Sequence, residues 1–265
     1  EVLAAHVGDD RQDHDGEQDA DGEHRAGCPA LPGEDAGPAE VVVESAGDAL
    51  AEGKALPARP DDPRAVLLAG CGTPVGQEVL IVDPLSGAHL SEGEVGEIQV
   101  RGPNVGRGYW NRDEQTRRVF GRDGRLRTGD LGTVLDGQLI VTGRLKDLIV
   151  VDGRNHYPQD LEATVQDAHP AVRRDRLAAF GVAGGSGERV VVVAEHARTT
   201  SLAEIDVPEL ARAVRAAVSG RHGLRLADVL LVPPGTVPRT SSGKVSRALT
   251  RERYLAGVYA AGGAA

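Results

Sequence analysis

The sequence predicts an α+β fold in which a small β-rich subdomain precedes a compact α+β carboxyl-terminal domain. From about residue 64, short apolar runs are separated by Gly, Pro and Asp, which is typical of a small β structure. After Gly143 the pattern changes to alternating helical and strand segments. We therefore predict a tail over residues 1–40, a β-rich subdomain over residues 41–143 and a carboxyl-terminal domain over residues 144–265.

The tail over residues 1–40 differs from the rest of the chain in composition. It carries twelve Asp or Glu residues and two Arg residues. Because it has few large apolar side chains and no sustained period, it cannot bury enough surface to offset the entropy lost on ordering. We predict that this acidic tail is disordered or is not native sequence.

Charge and composition exclude several classes of function. The formal net charge of −10 comes from the tail, because residues 41–265 carry 28 acidic and 28 basic side chains. No basic stripe indicates nucleic-acid binding, and no apolar run reaches the roughly 18 residues of a membrane span. Two cysteines are too few for a disulfide framework. We expect a cytoplasmic protein with no integral membrane segment.

The β-rich subdomain contains predicted strands over residues 79–82, 96–101 and 138–142. Asp83 and Pro84 supply one turn. Asp136 and Gly137 lie between two apolar segments, and Asp-Gly in that position predicts a β-hairpin.

In the carboxyl-terminal domain, a helix is predicted over residues 158–168. Pro158 suits a first helical turn, and Leu161 and Val165 lie four apart on one face. The other predicted elements are strands over residues 177–182, 189–195 and 228–232, an amphipathic helix marked by Leu210, Val214 and Val218, and a short helix over residues 246–254.

The segment LRTGDLG, residues 126–132, places Asp130 after a predicted Gly turn and before a predicted strand. A carboxylate fixed on a turn can accept two hydrogen bonds from the vicinal hydroxyls of a ribose, because it offers two acceptor oxygens side by side. An Asp that merely caps a turn is the alternative when this segment is taken alone.

The segment GRLKDLIVVDGRNHYPQDLE, residues 143–162, gathers Arg144, Lys146 and Asp147 at the predicted domain junction. A segment that changes its backbone angles there would serve as a hinge. His156 follows in a predicted loop, where a loop hydrogen-bonding role is favoured over the alternatives of base and ligand.

The segment VPRTSSGKVSR, residues 237–247, predicts a flexible exposed loop that carries Lys244. It is not a Walker A motif, because Pro238 stands where that motif needs Gly. Lys244 is one of three lysines among 30 Lys and Arg residues, and a retained lysine supplies a compact point charge. Lys54 has no motif around it, so a solvated surface lysine is the alternative.

These three segments, together with GEIQVRGPNVGRGYWN at residues 96–111, resemble in order the adenylate-forming superfamily of acyl-CoA synthetases, peptide-synthetase adenylation domains and luciferases. NHYPQD and CGTPVGQEVLIVDPLSG, residues 71–87, resemble more specifically the fatty acyl-AMP ligases. The likeness covers about residues 64–258. Because the superfamily's phosphate loop is absent and the chain has no Met, we expect a carboxyl-terminal fragment that is inactive alone.

The resemblance implies a large amino-terminal domain, a hinge and a small carboxyl-terminal domain that rotates over the active site. It implies that Asp130 binds the ribose of ATP, with Arg144 near that ribose or the hinge. Lys146 occupies the hinge position, and Lys244 is the implied catalytic lysine. Mg²⁺ on the phosphates is the implied metal, with no metal ligand assigned in this chain.

The implied reaction is activation of a fatty acid with ATP to acyl-AMP, followed by transfer of the acyl group to an acyl carrier protein or coenzyme A. A fragment of an acyl-CoA synthetase or of an amino-acid adenylation domain is the alternative within this class. A non-catalytic remnant that docks a carrier protein is the alternative from a different class.

Overall fold

The computed structural model describes residues 42–62, 64–121, 123–185, 187–199 and 201–259. It has a mixed α+β architecture, as the sequence predicts. The predicted disorder of residues 1–40 lies outside the described residues. Within the described ranges, no helix combines the length and the apolar character needed to cross a membrane.

The amino-terminal part contains two antiparallel sheets. The smaller sheet pairs β1 (Val42–Ser45) with β2 (Val66–Ala69), and the short helix α1 (Gly47–Ala51) lies between them in sequence. The larger sheet has the order β3-β4-β5-β6. Its strands are β3 (Glu78–Val82), β4 (Gly96–Arg101), β5 (Leu126–Leu135) and β6 (Gln138–Arg144), and helix α2 (Asp113–Val119) precedes β5.

The predicted hairpin at Asp136 and Gly137 is confirmed. Leu135 pairs with Gln138, so Asp136 and Gly137 alone form the turn between β5 and β6. Their φ angles are 49° and 73°. Positive φ at both central residues is what a two-residue hairpin turn of the favoured handedness requires. The turn therefore fixes where the register of β5 against β6 begins.

The Gly turn predicted before Asp130 is wrong, because β5 continues through this position. Gly129 has a φ of 72° inside the strand. The register also shifts here, since Glu97 pairs with Leu131 whereas Gln99 pairs with Arg127. A β-bulge therefore replaces the turn, because a Gly with positive φ accommodates extra residues without ending a strand. A turn and a β-bulge both favour Gly, so the sequence alone does not distinguish between them.

The carboxyl-terminal part contains a three-stranded sheet of order β11-β10-β9, in which β9 is antiparallel and β11 parallel to the central strand β10. A small hairpin connects it to the preceding part. The elements are β7 (Ile149–Val151), β8 (Arg154–His156), α3 (Pro158–Ala168), β9 (Val172–Gly184), β10 (Gly187–His196), α4 (Val207–His222), β11 (Leu226–Val232) and α5 (Arg247–Leu255).

Strand β10 is buried on both faces. On one face, Val190, Val192 and Ala194 pack with apolar side chains of α3 and α4, and on the other, Val191 and Val193 pack with residues that follow β11. Fully burying each of these valine side chains stabilises the fold by about 1.5–3 kcal/mol. The predicted helix faces are confirmed by the buried residues Leu161, Val165, Leu210, Val214 and Val218.

The two parts of the chain meet directly after β6. A 3-10 turn, Leu145–Asp147, connects β6 to β7. Tyr157 is buried with Leu50 and Ile140 of the amino-terminal part. The predicted division into a β-rich subdomain and a mobile carboxyl-terminal domain at residues 143–144 stays a prediction.

Candidate functional site

Three of the predicted site residues line one groove. The groove has a volume of about 330 Å³ and lies where the bulge of β5 meets the end of β6. Its volume is near the lower end of the about 300–1,000 Å³ that small-molecule sites span. The lining residues are Thr128, Gly129, Asp130, Arg144, Leu145 and Lys146.

The bulge holds Asp130 in place through a short chain of hydrogen bonds. The hydroxyl of Thr128 donates to the carbonyl of Ile98 at 2.7 Å, and it accepts from the backbone N–H of Asp130 at 3.0 Å. These bonds connect the bulge to β4. The Asp130 carboxylate is thereby attached to a fixed backbone rather than to a free loop, which suits recognition of a ligand.

Arg144 lies opposite Asp130 in the β5–β6 pairing. Its Nε is 3.2 Å from Oδ1 of Asp130, and the two side chains are 60% and 14% exposed, respectively. Because the Arg144 side chain is largely exposed, the pair contributes about 0–1 kcal/mol. The carboxylate offers both of its oxygens to a ligand if Arg144 moves.

Lys146 lies in the middle of the 3-10 turn, with its side chain exposed. The backbone N–H of Leu148 donates to the carbonyl of Arg144 at 3.1 Å, which closes this turn. Short 3-10 segments serve as connectors and often mark hinges. The hinge role of Lys146 stays a prediction.

Lys244 is not among the residues that line this groove. It is exposed on a tight loop in which the N–H of Thr240 donates to the Lys244 carbonyl at 2.8 Å. The Lys244 N–H in turn donates to the Thr240 hydroxyl at 3.2 Å. Within the described part of the chain its ammonium forms no ion pair. The loop thus presents a cationic side chain with no charged partner among the described residues.

Arg247 connects the Lys244 loop to the predicted hinge. It forms two parallel hydrogen bonds to the Glu162 carboxylate, at 2.7 and 2.6 Å, and a longer one of 3.4 Å to Asp147. The bond to Glu162 raises the pKa of Arg247, and paired Arg–carboxylate bonds are the geometrically most specific ion pairs. One end of the loop is therefore tied to α3 and to the turn that contains Lys146.

A larger cavity, of about 690 Å³, lies between the amino-terminal part and helices α3 and α4. Burial raises the pKa of its Asp160 to about 6 and lowers that of His222 to about 4. Burial also lowers the pKa of His156. We place the candidate site in the smaller groove nevertheless, because that groove holds Asp130 and Arg144, which are predicted to lie at the ribose of ATP, beside Lys146 at the predicted hinge. In the larger cavity, the imidazole of His222 forms a hydrogen bond of 2.7 Å with the Thr164 hydroxyl.

Sequence reasoning missed the ion pair between Arg247 and Glu162 and a buried carboxylate, Glu195. Arg247 and Glu162 each end a segment that the sequence singles out, but they are 85 residues apart. A pairing at that distance leaves no local pattern. Glu195 has one weak signal, since it ends an apolar run that predicts a buried strand, and a charge there calls for a partner.

Two family descriptions match the chain. The AMP-binding enzyme family matches residues 37–110, and the AMP domain of the Disco-interacting protein 2-like family matches residues 146–261. The chain belongs to the adenylate-forming, AMP-binding superfamily. The first match lies in the β-rich part and the second in the carboxyl-terminal part.

Several curated relatives of this chain are ligases of fatty acids. The chain is 38% identical over 226 residues to the medium-chain-fatty-acid–acyl-carrier-protein ligase JamA of Moorena producens, covering 82% of this chain and 38% of that protein. It is 39% identical over 236 residues to a long-chain-fatty-acid–AMP ligase of Mycobacterium tuberculosis, covering 83% and 40%. The resemblance to fatty acyl-AMP ligases is confirmed, and the chain spans about two fifths of the length of these relatives.

Solved structures of adenylate-forming enzymes share the fold. A fatty acyl-adenylate ligase structure, from a study of the Escherichia coli and Legionella pneumophila enzymes, superposes with a TM-score of 0.71 at 32% identity, covering 84% of this chain and 39% of that one. ATP-bound MatB of Rhodopseudomonas palustris superposes with a TM-score of 0.56 at 31% identity, covering 76% and 38%. The predicted adenylate-forming fold is confirmed.

Proposed function

We propose that this chain is part of a fatty acyl-AMP ligase that binds the ribose of ATP at Asp130 and uses Lys244 in acyl-AMP formation. The observation that carries this proposal is the groove in which Asp130, Arg144 and Lys146 lie together. The sequence relatives, which are ligases of fatty acids, support it. The enzyme is proposed to act in the cytoplasm.

The proposed reaction has two steps. A fatty acid carboxylate oxygen attacks the α-phosphorus of ATP, forming acyl-AMP while the bond to pyrophosphate breaks. A carrier-protein thiol, after losing its proton, then attacks the acyl carbon and AMP leaves. The carrier protein is preferred to coenzyme A as acceptor because JamA is named for that acceptor.

Asp130 is proposed to orient the nucleotide through its sugar. Two vicinal hydroxyls donate to the two oxygens of one carboxylate without strain. The Asp130 side chain is 14% exposed, so the carboxylate is accessible yet shielded from competing water. Arg144 is proposed to lie beside the same ribose, since its guanidinium already contacts the carboxylate.

Lys244 is proposed to stabilise the transition state of the first step. Negative charge accumulates as one anion attacks another, and an ammonium group placed there lowers the barrier. The Lys244 ammonium has no ion-pair partner in the described residues and projects from an exposed loop. To reach the groove it must move, and we propose that residues 144–265 rotate about Lys146 as a mobile domain.

Mg²⁺ is proposed to accompany ATP rather than to occupy a site built by this chain. No group of three or more His, Cys, Asp or Glu side chains in the described residues is arranged to hold a metal ion. When bound to the phosphates, the ion would neutralise part of their charge.

An amino-acid adenylation domain is the second candidate. The adenylation domain of McyG, solved with phenylalanyl-adenylate, superposes with a TM-score of 0.64 at 29% identity. The groove binds the nucleotide in either case, so it does not distinguish the two carboxylic acid substrates. An acyl-CoA synthetase and a non-catalytic remnant that docks a carrier protein remain alternatives.

The test is pyrophosphate release by this chain alone and by the chain joined in frame to the amino-terminal portion of a fatty acyl-AMP ligase. Fatty acids are compared with amino acids, and carrier protein with coenzyme A. We expect release by the joined protein with fatty acids only, and acyl transfer to carrier protein. Release with amino acids would favour the second candidate, and a folded joined protein inert with every acid would favour the remnant.

A further inference from the structure

The central strand β10 ends with a buried charge. Glu195 is an acidic residue that follows a run of apolar residues on that strand, yet its side chain is fully buried. Alternation along the strand puts it on the same face as Val191 and Val193, which pack in the cluster that also contains Val237. A carboxylate thus occupies a position where an apolar side chain fits the surroundings better.

Two partners compensate for the burial of this charge. The guanidinium of Arg173 donates to Glu195 at 2.6 Å, and the backbone N–H of Val237 donates to its other oxygen at 3.1 Å. Arg173 reaches the carboxylate because β9 bulges here: Leu177 pairs with Ala194, whereas Val172 pairs with His196. Bulges commonly re-aim a side chain in this way.

Replacing a buried ion pair by apolar residues is often neutral or stabilising. The Arg173–Glu195 pair is therefore poorly explained by stability alone. The hydrogen bond from the Val237 N–H to Glu195 points to another role. Val237 is buried, so its N–H cannot bond to water, and the carboxylate is its acceptor. Glu195 thereby fixes the first residue of the loop that carries Lys244 to the central strand of the sheet.

The same loop is fixed at its other end by the bond pair between Arg247 and Glu162. Between the two anchors, Arg239 and Val245 form an isolated bridge, and the Arg239 guanidinium donates to the Gly243 carbonyl at 2.6 Å. Lys244 therefore projects from a loop with a defined base, although its side chain is exposed.

We propose that Glu195 is a positioning residue for Lys244, acting through the Val237 N–H. This inference rests on the proposed catalytic role of Lys244. Loss of the acceptor releases the start of the loop from β10, and the ammonium then samples more positions than the one that meets the α-phosphate. Removing the charge while keeping an acceptor oxygen leaves the loop in place.

The test compares two double variants of the chain that both lack the ion pair. Arg173→Leu/Glu195→Gln keeps an acceptor oxygen for Val237, and Arg173→Leu/Glu195→Leu removes it. Amide hydrogen exchange of Val237 is measured by NMR, with the Val192 amide on the same strand as the internal reference. We expect Val237 exchange to rise ~10-fold or more in the Leu/Leu variant, with Val192 unchanged, and to stay within ~3-fold of the parent in the Leu/Gln variant.

Equal Val237 exchange in the two variants, with Val192 protected in both, would overturn the inference. If the Leu/Leu variant does not fold, Arg173→Leu/Glu195→Met provides the same comparison with a more adaptable side chain. Trypsin cleavage after Arg239 and Lys244 is the second measurement, and we expect faster cleavage only where the acceptor is missing. Neither measurement depends on catalysis. A negative result in either one would therefore count against the anchoring of the loop and not against the proposed function.

A catalytic readout separates positioning from general support of the fold. In the chain joined to the amino-terminal portion of a relative, loss of the acceptor is expected to slow acyl-AMP formation ~10-fold and to spare transfer from pre-made acyl-AMP. Equal loss in both half-reactions would assign Glu195 to the fold alone. If Lys244→Ala leaves acyl-AMP formation unchanged while Val237 exchange behaves as expected, the proposed function fails and the anchoring of the loop stands.

Discussion

Replacing Asp160 by Asn is expected to stabilise the chain at neutral pH. Asp160 lies in the first turn of α3 and lines the cavity of about 690 Å³ between α3, α4 and the amino-terminal part. Its carboxylate has no ion-pair partner among the described residues. Burial raises its pKa from 3.8 to about 6, Arg221 lowers it by a smaller amount, and Glu162 adds a further rise. The ionised form is therefore disfavoured in the folded chain.

The direction and the magnitude of this change in stability follow from the linkage between protonation and folding. Since the pKa is higher in the folded state than in the unfolded state, the stabilising contribution of protonated Asp160 is fully present below pH 3.8. It is lost as the pH rises through about 6. A shift of this size corresponds to ~3 kcal/mol. Asn also loses the favourable interaction of a carboxylate with the helix amino terminus, ~0.3–1 kcal/mol. The net gain expected at pH 7.5 is ~2 kcal/mol.

The assay is urea unfolding followed by circular dichroism at pH 7.5 and pH 4. Asp167→Asn is the matched control, because Asp167 lies on the same helix with its side chain 68% exposed. We expect a change below ~0.5 kcal/mol for this control. Burial also lowers the pKa of His222 to about 4, but His222 is present in every protein compared, so its own pH dependence cancels in the difference.

The result that would refute this reasoning is a loss of stability at pH 7.5 in Asp160→Asn. It would show that the ionised carboxylate makes a favourable interaction in the cavity that outweighs its desolvation. A gain of the same size at pH 4 and pH 7.5 would also count against it, because protonation of Asp160 at pH 4 should remove most of the difference.

Four further substitutions test the site. Lys244→Ala is expected to reduce acyl-AMP formation by ~10² or more and to spare transfer from pre-made acyl-AMP, with Lys54→Ala as the exposed control; equal loss in both half-reactions would contradict the role. Asp130→Ala is expected to weaken ATP binding ~10-fold by calorimetry, and unchanged affinity would remove the ribose contact. Lys146→Pro is expected to impair acyl transfer more than adenylation, so a variant equally competent in both would remove the hinge. Arg247→Met is expected to lower the free energy of unfolding by ~2 kcal/mol or more, whereas a change below ~0.5 kcal/mol would show that the pair behaves as a surface pair.

The carboxyl-terminal elements were largely predictable because their periodic apolar residues are buried. The helix predicted over residues 158–168 has these bounds in the structure, and Leu161 and Val165 face the core. Helix α2 was not predicted, and the reason is physical: none of its residues is buried, so it has no apolar stripe to reveal it. The short strands β1 and β2 likewise give a weak sequence signal.

The residues of the groove were predictable from motifs, but their pairing was not. Counting outward from the hairpin turn places Gly143 opposite Asp130. A register shift between Leu131 and Gly132 brings Arg144 there instead. A one-residue shift of this kind exchanges the faces of a strand, and it decides which side chain meets the carboxylate. Only the folded hairpin shows where that shift occurs.

The proposed rotation about Lys146 also has a structural consequence. The contacts that join the two parts include an exposed ion pair of 3.0 Å between Asp48 and Arg154. Gln159 adds a hydrogen bond of 2.6 Å to the Thr142 carbonyl. Ion pairs of this exposure contribute about 0–1 kcal/mol, and a single hydrogen bond about 0.5–1.5 kcal/mol. These polar contacts are therefore weak restraints on rotation.

Tyr157 is the strongest restraint of those described, because its ring is buried against Leu50 and Ile140 across the junction. Exposing a buried side chain of this size costs about 1.5–3 kcal/mol. The ties at Glu195 and Arg247 lie within the carboxyl-terminal part or reach Asp147, just beyond Lys146, so rotation about Lys146 leaves them intact. Rotation would thus carry the Lys244 loop as a rigid unit and would expose the Tyr157 ring.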